Sequence, residues 1–156
     1  MQYRFGHGRN PELTTALSIA AAPVHPASAG AGTHDTGGID MQTFRRAMFL
    51  LSVGEFGSSS TVDMKLQESV DNITFTDLAG TDVSITQLAA AGGDNRLASI
   101  EVRAGHLSAS NRYVRARVTV STAATVLGCI PLGGNAIAKP GNENDVAAVA
   151  ERLVVS

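Results

Sequence analysis

In residues 61–69, TVDMKLQES, polar and apolar side chains alternate from Thr61 to Gln67. Because side chains point alternately to the two faces of a strand, all the apolar ones here fall on one face and the polar ones on the other. One dry face and one wet face are typical of a strand in an antiparallel sheet. The stretch is therefore predicted to be a strand that buries Val62, Met64 and Leu66.

The same period of two recurs on both sides of this stretch. Gly/Ser, Asp-Asn and Gly-Gly-Asp-Asn clusters separate the alternating segments and predict turns between them. Strands spaced every ~8–12 residues, with hairpins as the main connection and no βαβ spacing, predict an all-β domain. Its expected architecture is an antiparallel β-sandwich or a jelly-roll-like barrel. The further predicted strands cover residues 41–54, 73–80, 82–90, 97–105, 111–122 and 124–132.

The alternation also predicts the core. In residues 41–54, Phe44, Met48 and Leu50 compete with Phe49 and Leu51 for the interior, and we expect the second pair to be buried. The full expected core consists of Phe49, Leu51, Val62, Met64, Leu66, Ile100, Val102, Val114, Val118 and Val120.

Composition divides the chain into three parts. Residues 1–39 are rich in His, Pro, Gly and Ala and predict an extended N-terminal arm, with a possible short helix over residues 11–22. Residues 40–133 form the predicted sandwich. Residues 134–156 form a C-terminal tail that starts with a Gly/Pro/Asn linker, and an edge strand or extended arm is favoured there over a helix.

Several functional classes are disfavoured by composition. The 156 residues include 12 basic and 14 acidic side chains, so no basic excess favours nucleic-acid binding. No apolar run reaches the ~18 residues of a membrane-spanning helix. With no Trp, two Tyr and five Phe, the chain is also poor in rings for stacking on bases or sugars. The single cysteine, Cys129, lies in an apolar stretch and is predicted to be a buried structural thiol.

The motifs of common active sites are missing from the sequence. The four histidines lack metal-ligand spacing, and no nucleophile elbow or phosphate-binding glycine loop is present. His34 beside Asp35 could ligate a metal between subunits, although a solvated polar stretch is the favoured interpretation. We therefore predict no enzyme, no catalytic residue, no cofactor and no resident metal, leaving open a metal held at a symmetry axis.

Partner contacts are predicted instead in the arm and on two basic strands. Arg and Tyr are favoured anchor types in protein interfaces, and Arg115 and Arg117 share one strand face with Tyr113. A solvated outer face is the competing interpretation of these arginines. The predicted contact residues are Tyr3, Arg4, Phe5, His25 and His34 in the arm, and Arg45, Arg46, Arg115 and Arg117 on the sandwich.

The order of three segments resembles a family of small β-sandwich virion proteins of tailed bacteriophages, of the head-decoration or capsid-cement type. The segments are GIDMQTFRRAMFLLSVGEF, KLQESVDNITFTDLAG and NRYVRARVTVSTAATVLGCIPLG, and the likeness covers about residues 37–133. These motifs are structural rather than catalytic. The start of the chain and residues 134–156 depart from the family pattern, so docking contacts are the part that transfers least.

The resemblance implies a structural virion protein that stabilises a capsid by binding its outer shell where capsomers meet. Its implied partners are the major capsid protein and further copies of itself, as a homotrimer built by arm exchange, with neither nucleic acid nor membrane involved. The protein would be made in the host cytoplasm and reside on the capsid surface. The alternatives are a head-fibre, neck or tail accessory protein, and a carbohydrate-binding sandwich module.

Overall fold

Alternating side chains along the long segments produce extended strands that each bury one face. The computed structural model describes residues 16–78 and 95–137. A short 3-10 helix, Ala104–His106, follows one of the long strands. The strands are β1 (Leu17–Ile19), β2 (Val24–Ala29), β3 (Gly32–Asp35), β4 (Ile39–Asp40), β5 (Phe44–Val53), β6 (Val62–Ser69), β7 (Thr76–Asp77), β8 (Arg96–Arg103), β9 (Tyr113–Val120) and β10 (Thr125–Ala136).

The strands form two antiparallel sheets that pack together as a β-sandwich, which confirms the predicted fold class. Sheet I has the order β1-β10-β5-β8, with β2 also paired to β10. Sheet II has the order β3-β9-β6-β7, with β4 also paired to β9. Among the described strands, β6 and β7 are the one pair that is consecutive in sequence. The expectation that hairpins dominate is therefore wrong, because the chain passes repeatedly from one sheet to the other.

The core lies between the sheets and contains every side chain that the alternation assigned to it. Phe49 and Leu51 are fully buried, as expected, while Met48 and Leu50 on the same strand are half-exposed. Phe44 is buried as well, because two successive exposed residues, Arg45 and Arg46, shift the alternation of β5 by one position. The remaining buried members are Val62, Met64, Leu66, Ile100, Val102, Val114, Val118 and Val120.

The predicted boundary between an arm and the sandwich at residue 40 does not follow the sheets. Strands β1 and β2 pair with β10, and β3 and β4 pair with β9, all within the same chain. These strands are short and carry few apolar side chains, so backbone pairing at the sheet edges positions them rather than a hydrophobic pattern. From residue 17 onward the predicted arm is thus part of the sandwich, and β10 likewise continues to Ala136, past the predicted end at residue 133.

A proline sits inside β10, which has partners on both sides. Residues 132–134 pair with β1 and residues 125–129 pair with β2, so Pro131 lies at the break between these two short strands. Its carbonyl accepts a hydrogen bond from the Ala20 N–H at 3.2 Å, on the side of this break. Since the N–H and C=O of a strand residue point to the same side, the missing N–H of Pro131 faces the break and leaves the pairing with β5 intact.

Some predictions fall on residues outside those described. The predicted helix over residues 11–22 is wrong from residue 17, where β1 begins, and its earlier part lies outside. The predicted strand over residues 82–90 and the tail beyond residue 137 also lie outside. In residues 16–78 and 95–137, no helix is long and apolar enough to cross a membrane.

Candidate functional site

The two outer faces of the sandwich differ in chemistry. The outward positions of sheet II carry charged and amide side chains, whereas those of sheet I are largely aliphatic. A face whose polar side chains already pair with one another has few left to bind a partner. Covering exposed apolar area, in contrast, is favourable in free energy. The internal contacts of each face therefore decide which one is available for binding.

An ion-pair network covers the outer face of sheet II. Asp35 on β3 accepts hydrogen bonds from Arg117 at 2.8 and 2.7 Å, and its Oδ2 lies 2.9 Å from Nη2 of Arg115. The hydrogen bond from Arg117 holds the pKa of Asp35 below its ordinary value, against the opposing effect of partial burial. Arg115 also donates from Nε and Nη2 to Oε1 of the buried Gln67, at 3.1 and 2.9 Å.

The network extends towards β7 and the turn before it. The guanidinium of Arg115 stacks 4.0 Å from the centre of the Phe75 ring. Nζ of Lys65 lies 2.6 Å from Oδ2 of Asp77, whose Oδ1 accepts from the Gln67 amide at 2.8 Å. These contacts pair the named charged and amide side chains of this face within the chain itself. Arg115 and Arg117 thus bind β3, β6 and β9 together.

Sheet I presents an aliphatic outer face, which we call the apolar face. The register places Ile19, Leu132 and Met48 side by side across β1, β10 and β5, with Ile130 beside Leu50 in the next outward row. Their inward neighbours on the same strands are buried, so these side chains point away from the core. The apolar face consists of Leu17, Ile19, Met48, Leu50, Ile130 and Leu132, all partly exposed.

One end of the apolar face contains a cavity of about 240 Å³. Leu17, Met48 and Leu132 contribute apolar walls, and Gly134 leaves room where another residue would place a side chain. Arg46 and Glu101 form one wall, joined by an exposed ion pair at 3.0 Å. We call it the sheet I cavity.

Unpaired cations lie close to this cavity. Arg103 on β8 is in register with Arg46, and neither Arg103 nor Arg45 has an ionic partner within the two described stretches of chain. Both guanidinium groups are exposed. This end of sheet I therefore combines apolar walls with uncompensated positive charge, which fits a partner that carries aliphatic and acidic side chains.

A second feature is the turn of residues 69–74, which we call the 69–74 turn. Oδ1 of Asp71 accepts hydrogen bonds from the backbone N–H groups of Ile73 and Thr74, each at 2.9 Å. The Ser69 hydroxyl donates to the same oxygen at 2.9 Å, and Ser69 Oγ accepts from the Asn72 N–H at 3.0 Å. Asn72 adopts a positive φ of 61°, which asparagine tolerates in turns. These bonds also lower the pKa of Asp71, with the Thr74 N–H contributing most.

The 69–74 turn carries two aliphatic side chains into solvent. Val70 is 59 % exposed and Ile73 is 82 % exposed. The turn is backed by Gly38, where an added Cβ would meet the Asn72 side chain and the Phe75 ring. A turn whose backbone is fixed in this way presents its side chains with little conformational entropy to lose on binding.

The structure does not bring the predicted contact residues together on one surface. His25 is exposed on β2 of sheet I, whereas His34 on β3 of sheet II is half-buried, with Nε2 2.9 Å from the Gly30 carbonyl oxygen. Arg45 and Arg46 belong to sheet I, and the other two arginines belong to the network of sheet II. Tyr3, Arg4 and Phe5 lie outside the described residues.

Cys129 is fully buried on β10, as predicted. Its thiol donates to Sδ of Met64 at 3.9 Å, and burial raises its pKa to about 12. Within the part of the chain that the structure describes, no group of three or more His, Cys, Asp or Glu side chains is placed to hold a metal ion. Glu68 is buried and accepts from the Ser108 N–H at 2.8 Å and from its hydroxyl at 2.5 Å, so it anchors the loop after the 3-10 helix.

The apolar face was not predicted from the sequence, and the turn predicted at Asp71 and Asn72 was not expected to expose aliphatic side chains. A signal for the apolar face was present in residues 126–132, since an uninterrupted apolar run is typical of a strand that is apolar on both sides. Alternation through Ile73, Phe75 and Asp77 predicted a strand over residues 73–80, but Ile73 lies in the turn, and in the described part of that stretch the strand β7 covers only Thr76–Asp77. Comparison with known proteins adds nothing to these surfaces, because no family model and no curated protein matches the chain.

Proposed function

We propose that this protein is a structural virion component that decorates a phage capsid by binding its outer shell where capsomers meet. The observation that supports it best is the apolar face of sheet I with the unpaired Arg45 and Arg103 beside it. Aliphatic area flanked by arginine is the composition of a protein-docking surface. The opposite face, paired within the chain, would remain towards solvent.

The resemblance to phage decoration proteins supplies the kind of partner. The three resembling segments include β5, β9, most of β10 and residues 65–69 of β6, and these strands build the centres of both sheets. A cement protein requires a rigid module with a docking face, and the sandwich with its apolar face meets that requirement. Many copies on a repetitive shell gain avidity, so each single contact can be modest in area.

The structure limits which residues of the predicted arm could be exchanged between copies. Arm exchange was expected from residues 1–39, but β1 to β4 pair within the same chain. Deleting residues 1–39 would remove β1 to β3 and half of β4 from the sandwich and would not test docking. A deletion of residues 1–15, which ends before the described part begins, is the appropriate variant for arm exchange.

The carbohydrate-binding alternative is less well supported. One face of the Phe75 ring is covered by Arg115, and Arg112 stacks 4.9 Å from the centre of the Tyr113 ring. Phe56 is buried. Sugar binding usually relies on open aromatic faces, and these contacts reduce what those rings can offer.

The first test is copy number in virions of the phage whose genome encodes the chain, by quantitative mass spectrometry against the major capsid protein. A ratio close to one copy per capsid subunit, or a simple fraction of it, is the expected result. A handful of copies per particle would favour a fibre, neck or tail accessory role instead. Absence from the virion would overturn the proposal.

The second test locates the docking surface. Shells assembled from the same genome's capsid protein are titrated with the full chain and sedimented. Ile130→Glu places a charge in the middle of the apolar face and should weaken shell binding about tenfold or more. Thr122→Glu adds the same charge to an exposed turn and should bind like the parent. Equal binding by both variants would exclude the apolar face as the shell contact.

A further inference from the structure

We propose that the 69–74 turn of one copy docks into the sheet I cavity of a second copy, so that the chain associates head to tail. Val70 and Ile73 would enter the cavity, and Asp71 would face the arginines beside it. This inference deepens the proposed function, because it names the surfaces through which copies of the decoration protein would assemble. The contact between copies would cover the cavity end of the apolar face and Arg103, and would leave the part around Leu50 and Ile130 for the shell.

The shapes and chemistry of the two features fit. The cavity of about 240 Å³ has Leu17, Met48 and Leu132 in its walls. A dry cavity of about 150 Å³ is enough to accept benzene, so this one has room for an aliphatic side chain and part of another. Ile73, at 82 % exposed, is the most exposed large aliphatic side chain in the described residues. Covering both surfaces removes apolar area from water on each copy.

The charges are complementary as well. Each hydrogen bond that fixes the turn through the Asp71 carboxylate ends on Oδ1. Oδ2 has no partner among the residues that the structure describes, and the side chain is exposed. Arg103 beside the cavity lacks an acidic partner in those same residues, and Arg46 there is held only by an exposed pair with Glu101. Docking would place the free carboxylate oxygen next to this cationic wall.

The position of the two features suits a closed ring. The Arg112 N–H donates to the Ser69 carbonyl at 2.9 Å, and the Met41 N–H donates to the Arg112 carbonyl at 2.7 Å. Residues 41–43 then lead into β5, and the Ile137 N–H donates to the Thr43 carbonyl at 2.9 Å. The turn and the cavity therefore lie at the same end of the sandwich, one on each sheet. Complementary patches on opposite sides of one end form a head-to-tail contact, which builds a ring when the rotation closes.

The experiment uses the full chain and sedimentation velocity over a wide concentration range. The parent should form a closed oligomer. Ile73→Ser removes the inserting side chain, and Met48→Asp places a charge in the cavity wall. Each variant alone should be monomeric, or should associate about tenfold or more weakly than the parent. Leu97→Ser is the matched control, since Leu97 is 72 % exposed at the other end of sheet I and should keep the parent's assembly.

Mixing the two variants distinguishes head-to-tail docking from other modes. Ile73→Ser retains an intact cavity and Met48→Asp retains an intact turn. In an equimolar mixture, the turn of a Met48→Asp copy can therefore dock into the cavity of an Ile73→Ser copy, and no other pairing is possible. The mixture should form a one-to-one dimer and nothing larger. Thermal melting by circular dichroism identifies a variant that does not fold. If Met48→Asp does not fold, Ile73→Ser alone still tests whether the turn mediates association, because the Ile73 side chain is 82 % exposed and its replacement should not disturb the fold.

A parent that stays monomeric, or an Ile73→Ser variant that assembles like the parent, would overturn the inference. Shell binding is measured separately and keeps the two proposals distinct. A monomeric parent that saturates shells would leave the proposed function standing without this interface. A parent that forms the ring and ignores shells would leave the interface standing without the proposed function.

Discussion

Asp35 on β3 and Arg117 on β9 form a two-pronged ion pair, with Nε 2.8 Å from Oδ1 and Nη2 2.7 Å from Oδ2. The two residues are directly opposite each other in the strand register. Paired bonds of this kind fix orientation as well as adding charge-assisted energy. The pair fastens an edge strand, which has few apolar side chains of its own, to the centre of sheet II.

Removing this carboxylate should loosen the edge of sheet II. Asp35→Asn loses the ionic part of the contacts with Arg117 and Arg115, and because the group is partly screened by water we expect a loss of about 1–2 kcal/mol in the free energy of unfolding. Urea unfolding at neutral pH measures it. Asp63 lies on the same sheet, and its carboxylate makes no ion pair within the described residues. Asp63→Asn is therefore the control and should change the free energy of unfolding by less than about 0.5 kcal/mol.

The same residue gives a pH dependence with a defined sign. The pKa of Asp35 in the folded protein lies below its unfolded value of ~3.9, mainly because Arg117 donates to it. Its stabilising effect is therefore complete above the unfolded pKa and is lost as the pH falls through the folded pKa. Unfolding free energies measured from pH 6 to pH 2 should fall less steeply for Asp35→Asn than for the parent. Parallel curves would contradict the assignment of the shift to this pair.

A buried carboxylate gives a further prediction. Glu68 is 3 % exposed, and Ser108 supplies both of its hydrogen bonds in the described structure. Ser108→Ala removes the hydroxyl donor and leaves a buried acceptor less satisfied, so the free energy of unfolding should fall by about 1–3 kcal/mol. Ser99→Ala, on the exposed side of β8, is the matched control and should be neutral in the same urea titration. Equal changes in the free energy of unfolding for the two variants would mean that a water molecule replaces the Ser108 hydroxyl as donor to Glu68.

The core and the long strands β5, β6, β8, β9 and β10 were predictable because burial imposes a period of two on the sequence, whereas the short strands β1 to β4 lack that period and were not predicted. Val62, Met64 and Leu66 illustrate this, since alternation alone assigns them to the interior. The topology was not predictable in the same way. The pairing of β5 with β8 and β10 joins residues about 50 and 80 positions apart, and no local pattern encodes it.

The site was less predictable, for two physical reasons. Arg115 and Arg117 were predicted to contact a partner or to form a solvated outer face, and their contact with Asp35 was not predicted, because Asp35 lies 80 or more positions away in sequence and only the register of β3 on β9 brings it to them. Ile73 was predicted to begin a strand, but its hydrogen bond to Asp71 holds it in a turn, where its side chain faces solvent. Charge patterns thus indicated which residues take part in contacts and not whether those contacts lie within the chain.

The core assignment can be tested by truncation. Leu51 is fully buried between the sheets, so Leu51→Ala should cost about 2–5 kcal/mol through lost burial and the cavity left behind. Leu97→Ala removes the same atoms from a side chain that is 72 % exposed and should change the free energy of unfolding by less than about 0.5 kcal/mol. A small loss at Leu51 would contradict the placement of β5 in the sandwich.

Cys129 should be inert in the folded protein. The thiolate is the reactive form, and burial raises the pKa of this thiol to about 12, so the thiolate population at pH 8 is very small. Its side chain is also closed off from reagent, in contact with Met64 in the core. Labelling with an aromatic disulfide reagent at pH 8 should be slow and should follow the opening of the fold, and in urea above the unfolding midpoint it should become fast. Leu51→Ala supplies the internal check. Because it lowers the free energy of unfolding, it should raise the labelling rate of the native protein by the same factor as it raises the equilibrium constant for unfolding. Leu97→Ala should leave the labelling rate unchanged. Rapid labelling of the native parent, with a rate that ignores both substitutions, would show that the thiol is accessible without opening of the fold.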